Sequence, residues 1–135
     1  MFEMPQVIRL PFTDAAGVVF FARYFDLAHL AFEELFDHLG HRIPAELWRA
    51  SIGFPLVRSE AEYRRPLVLG DRVAVQVEAE RVGRTSFTLR HRFVHAGHGE
   101  VAVVRMTHVA IEVPTRTPVP LPDDLATALR THLVG

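Results

Sequence analysis

The chain contains no cysteine, which removes disulfides, thiolate zinc sites, iron–sulfur clusters and cysteine nucleophiles from consideration. It contains no lysine either. All 15 basic residues are arginine, so a Walker-type phosphate loop, a Schiff base and a lysine general base are excluded as well. Asparagine is absent and glutamine scarce; heat adaptation and a skewed genome composition both produce that pattern. No apolar run reaches the ~20 residues that span a bilayer, and the opening stretch MFEMPQVIRL lacks the basic start and apolar core of a secretory signal. A cytoplasmic protein with no membrane partner is therefore expected. Charge of one sign is missing too: 15 basic residues stand against 16 acidic ones, for a formal net charge of -1. That balance gives no long-range field for nucleic acid, and none is expected as a partner. What remains for chemistry is Asp, Glu, His, Ser, Thr, Tyr and the backbone dipoles.

What is present is enough apolar material for a core. At 135 residues and 49% hydrophobic, the chain is expected to form a single domain over residues 1–135. The segment QVIRLPF alternates Val7, Arg9 and Pro11 with Ile8, Leu10 and Phe12, which predicts a short first strand. Asp14-Ala15-Ala16-Gly17 then turns the chain. From about Phe21 to Leu39, Tyr24, Leu27, Ala28, Ala31, Phe32, Leu35, Phe36 and Leu39 recur at helical spacing, and Gly40 stands where a C-terminal cap belongs. Pro44 to Trp48 reads as a short helix opening on proline.

Strands follow, punctuated by glycine. Val73, Val75, Val77 and Ala79 alternate with polar partners, and Gly70-Asp71, Gly83-Arg84 and Gly97-His98-Gly99 fall at hairpin intervals. The runs 54–63, 72–82, 85–95 and 100–113 are expected to form an antiparallel meander, the last being interior because both its faces are apolar. A proline-rich loop, TRTPVPLP, precedes a short helix from about Asp123 to Leu133. An antiparallel sheet of about five strands with one apolar helix is an α+β domain, since the helix has no layer other than one sheet face to bury against. The opposite face, reading as partly apolar, is expected to be covered in part by another subunit.

The string FTDAAGVVFFARYFDLAHLAFEELF resembles the hotdog-fold acyl-CoA thioesterases of the 4-hydroxybenzoyl-CoA thioesterase family. YRRPLVLGD, VGRTSFTLRHRF and MTHVAIEV followed by PVPLPDDL resemble that family's later segments in order, so the resemblance spans nearly the whole chain. It implies a long antiparallel sheet wrapped around one central helix, subunits paired through their sheets as a homodimer or homotetramer, and hydrolysis of acyl-CoA to a free acid and CoA. Coenzyme A would then be part of the substrate, with no separate cofactor and no metal. By the resemblance Asp14 is the catalytic carboxylate, as nucleophile or general base, the backbone N–H of Phe21 polarises the thioester carbonyl, and Gly17 lets the chain approach the ligand. The chemistry supplies its own reason: thioester hydrolysis needs a group that attacks or activates water, and donors for the developing oxyanion. An isolated D-x-x-G is otherwise a plain turn. Arg84, Thr85 and Ser86 occupy the hairpin that in the family meets the nucleotide of CoA. Close relatives carry several basic residues there, whereas this chain has Gly83 beside Arg84, leaving Arg81 and Arg90 as further candidates.

Other polar residues read more plainly. His29 and Glu33, at i and i+4, are a helical side-chain pair with no third metal ligand evident, and His91 with His95 has no flanking carboxylate. Ser86 lacks a nucleophile elbow. Relatives acting on aliphatic acyl-CoA often carry His where this chain has Phe21. TDAAGVVFFA with His29 and Phe32-Glu33 looks more like the 1,4-dihydroxy-2-naphthoyl-CoA thioesterases, and Phe12, Phe20, Phe21 and Tyr24 suit an aromatic acyl group, such as hydroxybenzoyl or dihydroxynaphthoyl. The alternatives are a short-chain aliphatic thioesterase, a hotdog dehydratase, which would use a His that is missing before the long helix, and a non-catalytic acyl-CoA binding module, which would not need Asp14.

Overall fold

A computed structural model describes residues 1–41 and 51–134; the expected helix at Pro44–Trp48 lies outside them. Strand β1 spans Phe2–Val7, a 3-10 turn Leu10–Phe12, helix α1 Arg23–His38, β2 Ile52–Gly53, β3 Leu56–Tyr63, β4 Arg72–Val82, β5 Ser86–His95, β6 Gly99–Val109, β7 Ile111–Glu112, β8 Thr117–Pro118 and helix α2 Asp123–Arg130. Five strands form one antiparallel sheet in the order β1-β4-β5-β6-β3, and β2, β7 and β8 form a small second one.

The first strand runs earlier than its periodicity suggests. Pro11 sits in the first turn of the 3-10 segment, where its fixed φ and missing N–H are tolerated, and Leu10 is 71% exposed. Pro5 within β1 is accommodated because β1 is an edge strand. The expected meander holds for β4, β5 and β6 only. Strand β3 pairs with β6 at the far edge, not with β4. The linker between β3 and β4 is occupied elsewhere: Leu67 and Leu69 bond to Val19 and Gly17.

Helix α1 buries Tyr24, Leu27, Ala28, Ala31, Phe32, Leu35 and Phe36. They join the inward residues of the sheet, among them Val75 and Val77 of β4, Phe87, Leu89 and Phe93 of β5, and Val104 and Met106 of β6, in one hydrophobic cluster. Its end is a Schellman closure: the Gly40 N–H donates to Asp37 O at 3.1 Å and the His41 N–H to Phe36 O at 2.8 Å, with Gly40 at φ +81°. Helix α2 adds Leu125, Ala126 and Leu129 to the core. It is shorter than its pattern, because the chain turns at Thr131 so that the Ala79 N–H reaches His132 O and the Val134 N–H reaches Ala79 O.

The outer sheet face, expected to be partly apolar, carries Ala74, Val94 and Val103 together with a set of ion pairs. Glu78 meets Arg90 at 3.0 Å, Arg92 meets Glu100 at 2.6 Å, Arg105 meets Glu80 at 2.7 Å, and Arg64 closes on Glu100. The Arg92 hydrogen bond holds the Glu100 carboxyl below its usual range. Such pairs are individually weak at a surface, but they cover the sheet with the chain's own side chains.

The core itself contains a titratable group. His91 is fully buried on β5, its Nδ1–H donates to Val104 O at 3.1 Å, and burial pushes its pKa down to about 4. The unfolded chain binds a proton near pH 6.5 that the folded chain does not, so this stability is complete above that pH and lost as pH falls toward 4. Between pH 7 and 5, His91 is expected to withdraw about 2 kcal/mol. Urea unfolding should therefore show a drop in His91→Leu smaller than the parent's by about that amount. Equal drops would contradict the assignment.

Candidate active site

Residues 12–20 form a small hairpin. The Asp14 N–H donates to Val18 O at 2.9 Å, the Gly17 N–H to Asp14 O at 3.0 Å and the Phe20 N–H to Phe12 O at 3.1 Å. At its tip Asp14 Oδ1 accepts the Ala16 N–H at 2.8 Å. This is the side-chain turn that favours Asp here. Gly17 takes φ +80°, a left-handed conformation that glycine adopts without strain. Asp14 is exposed, and its second oxygen bonds to none of the described residues. The hairpin is clamped to the linker before β4 by the Val19 N–H to Leu67 O and the Leu69 N–H to Gly17 O, at 2.8 and 3.2 Å.

The hairpin leads directly into α1. Ala22, at the helix N-cap, offers no capping side chain, and the N–H groups of Phe21 and Ala22 have no acceptor among the described residues. Unpaired donors at a helix start carry partial positive charge and suit a developing oxyanion. Tyr63, at the end of β3, donates its hydroxyl to Phe21 O at 3.1 Å, which holds the Phe21–Ala22 peptide and so the Ala22 N–H beside that of Phe21. Tyr63 packs edge-on against Tyr24 at 5.0 Å, and Tyr24 against Phe93 at 5.3 Å. Burial raises the pKa of both tyrosines, which keeps Tyr63 a donor at neutral pH. A pocket of about 270 Å³ opens here, lined by Phe21, Tyr24, Tyr63, Arg64 and Arg65 among others.

A larger cleft of about 740 Å³ begins at the other side of the hairpin base, at Phe12. It follows the outward face of α1 past Asp26, His29, Leu30 and Glu33, with Phe32 beside them, and is closed by Phe54, Pro55, Leu56 and His108. His29 and Glu33 thus share a cleft wall; no cluster of three metal-binding side chains occurs among the described residues.

Arg84, Thr85 and Ser86 lie elsewhere. They form the β4–β5 turn, where Arg84 O accepts the Leu121 N–H, Thr85 O accepts the Ala110 N–H, each at 2.8 Å, and Ser86 Oγ accepts from Arg81 at 2.8 Å. The Asp14 hairpin docks before the start of β4 and this turn follows its end. The eleven residues of β4 lie between them, a path of about 36 Å along the strand at about 3.3 Å per residue. One chain therefore brings Asp14 and Gly17 onto the hairpin with Phe21 directly after it, and sets Arg84, Thr85 and Ser86 beyond the other end of β4. Arg90 is taken up by Glu78 on the outer face. Sequence reasoning missed Tyr63 as the partner of the Phe21 peptide and His108 as a cleft residue. The only local signal for Tyr63 is its place before Arg-Arg-Pro, where a strand ends.

The profile of the thioesterase-like superfamily matches residues 8–129. The chain belongs to the thioesterase-like superfamily. It is 36% identical over 125 residues to the 1,4-dihydroxy-2-naphthoyl-CoA hydrolase of Synechococcus elongatus, covering 92% of this chain and 91% of that one. Among solved structures it is similar to a 1,4-dihydroxy-2-naphthoyl-CoA thioesterase from Synechocystis, with TM-score 0.89, 25% identity, and 96% and 95% of the two chains covered. A gentisyl-coenzyme A thioesterase superposes with TM-score 0.80 at 26% identity, over 96% and 99%.

For this thioesterase-superfamily chain, Tyr63→Phe releases the Phe21 carbonyl without altering the pocket's apolar wall. One hydrogen bond is worth about 1 kcal/mol, so kcat should fall about fivefold with KM little changed. Steady-state kinetics check this; an unchanged kcat would show that the Phe21 peptide needs no such tether.

Proposed function

We propose that this protein hydrolyses aromatic acyl-CoA thioesters, of the hydroxybenzoyl or dihydroxynaphthoyl kind, to the free acid and CoA. The observation that carries this reading is an exposed carboxylate at Asp14 on the hairpin, followed at the helix start by the Phe21 and Ala22 N–H groups, which have no acceptor among the described residues, beside an aromatic-lined cleft. The Phe21 N–H polarises the thioester carbonyl and receives the oxyanion. Asp14 acts either directly on the carbonyl carbon, giving an anhydride that water then opens, or on a water that attacks it. In both routes the C–S bond breaks and CoA leaves as the thiolate. The chemistry needs no metal and no cofactor beyond the coenzyme A carried by the substrate.

The acyl group is read from the cleft and from the relatives. Phe12, Phe32 and Phe54 line the cleft, which suits an aryl group, and the relatives above are named for dihydroxynaphthoyl-CoA and gentisyl-CoA. Arg84, Thr85 and Ser86 remain the proposed contacts for the nucleotide of CoA. Because the whole length of β4 lies between them and the Asp14 hairpin, a site using both draws them from different subunits, which favours a homodimer or homotetramer. The exposed outer edge at β3, with Val57 60% exposed, offers a second copy a strand to pair with. In that reading the sheet wraps α1 as in the hotdog fold, and the protein works in the cytoplasm.

The test is Asp14→Asn, which keeps the turn but removes the base. It should lower kcat by about 10² to 10⁴-fold while acyl-CoA affinity, measured by calorimetry, stays nearly intact. A folded variant hydrolysing at the parental rate would rule out the role of Asp14.

A further inference from the structure

His108 lies on the inner face of β6 with its ring packed against Phe32, at 4.5 Å and 4° between planes, and against Phe87, at 5.3 Å and 20°. Its Nδ1 is 3.0 Å from the backbone oxygen of Phe54. A carbonyl oxygen only accepts, so Nδ1 carries the proton and donates, and Nε2 of the neutral ring is left as an acceptor. That acceptor has no partner among the described residues, although the residue is only 2% exposed. Native structures rarely leave a buried polar atom unpaired, because its lost hydration is not repaid.

The acceptor atom is itself covered, but the residue that carries it lines a cleft. His108 is part of the wall of the 740 Å³ cleft that also presents Phe12, Phe32 and Phe54. His29, whose ring centre is 6.0 Å from that of His108, faces the same space. Burial pushes the His108 pKa down to about 4, the Phe54 hydrogen bond opposing and His29 adding to the effect, so near neutral pH the ring is uncharged. His91 makes a useful contrast: its Nε2 is also unpaired, but it is fully buried beneath the sheet and is not in the cleft wall.

We propose that Nε2 of His108 accepts a hydrogen bond from a ring hydroxyl of the acyl group, which makes His108 the residue that selects hydroxylated aryl thioesters over unsubstituted ones. The proposal rests on the thioesterase reading above. An alkyl chain or a bare aromatic ring offers Nε2 no donor, whereas a phenolic hydroxyl supplies one. A site built around one hydrogen bond discriminates against the analogue that lacks the matching group.

The experiment compares kcat/KM for 1,4-dihydroxy-2-naphthoyl-CoA and 2-naphthoyl-CoA in the parent and in His108→Phe, which keeps an aromatic ring and removes both nitrogens. The parent is expected to favour the hydroxylated ester by about tenfold or more. In His108→Phe the ratio should fall to about one, with the loss borne by the hydroxylated ester. Because each ratio is taken within one enzyme, a general loss of activity cancels. Should His108→Phe not fold, the ¹⁵N resonance of His108 Nε2 in the parent decides: it should move on binding 1,4-dihydroxy-2-naphthoate and stay in place with 2-naphthoate. A parent ratio near one, a folded variant that keeps the parent ratio, or an Nε2 resonance equally affected by both acids would overturn the assignment of His108. A parent that hydrolyses neither ester would instead overturn the thioesterase reading.

Discussion

Everything in this molecule follows from burying one face of α1 against the sheet. Tyr24, Leu27, Ala28, Ala31, Phe32, Leu35 and Phe36 are all inside, and apolar burial at about 25 cal/mol per Å² makes that contact the main favourable term in the fold. Fixing the helix in this way also fixes what it does not bury. Its outward residues Asp26, His29, Leu30 and Glu33 become a wall of the large cleft. Its N-terminus, lacking a capping side chain, is held beside Tyr63 at the end of β3. The reactive geometry is thus a by-product of packing, with the Asp14 hairpin clamped onto that end by backbone bonds to Leu67 and Leu69.

The two faces of the sheet answer different demands. Outward positions carry Glu78, Glu80, Arg90, Arg92 and Arg105 in a continuous set of ion pairs. Buried inward positions of the sheet are hydrophobic except for His91 and His108, both neutral and each tied to a backbone carbonyl through Nδ1. Neither contributes the packing that an apolar residue would without leaving an acceptor unpaired. One of them reaches a cleft wall and one does not, so the same chemistry produces acid sensitivity in the core and a ligand contact at the cleft.

Much of this was legible in the sequence. The helix was readable because its apolar residues keep helical spacing and Gly40 marks the closure, and β4 and β5 because their alternation is unbroken. The place of β3 was not, since pairing with β6 rather than β4 depends on where the intervening linker docks. The apolar residues of the outer face were readable from the long apolar run in β6, while the ion pairs beside them were not, because they form between strands. Asp14, Gly17 and Phe21 were placed on a turn before a helix, and their hairpin is there. The distance to Arg84, Thr85 and Ser86 was invisible without the length and direction of β4, and His108 was hidden within a β6 run that carries no periodic signal for a polar role.

The central claim is that the hairpin and aromatic cleft together hydrolyse aryl thioesters of CoA. It is tested most directly by following thiol release from 1,4-dihydroxy-2-naphthoyl-CoA, butyryl-CoA and palmitoyl-CoA with the unmodified protein. The account predicts a kcat/KM for the aromatic ester at least about tenfold above either aliphatic one, roughly 1.4 kcal/mol of transition-state discrimination. Release that is equal or faster from the straight-chain esters, or no release from any of the three, would contradict it.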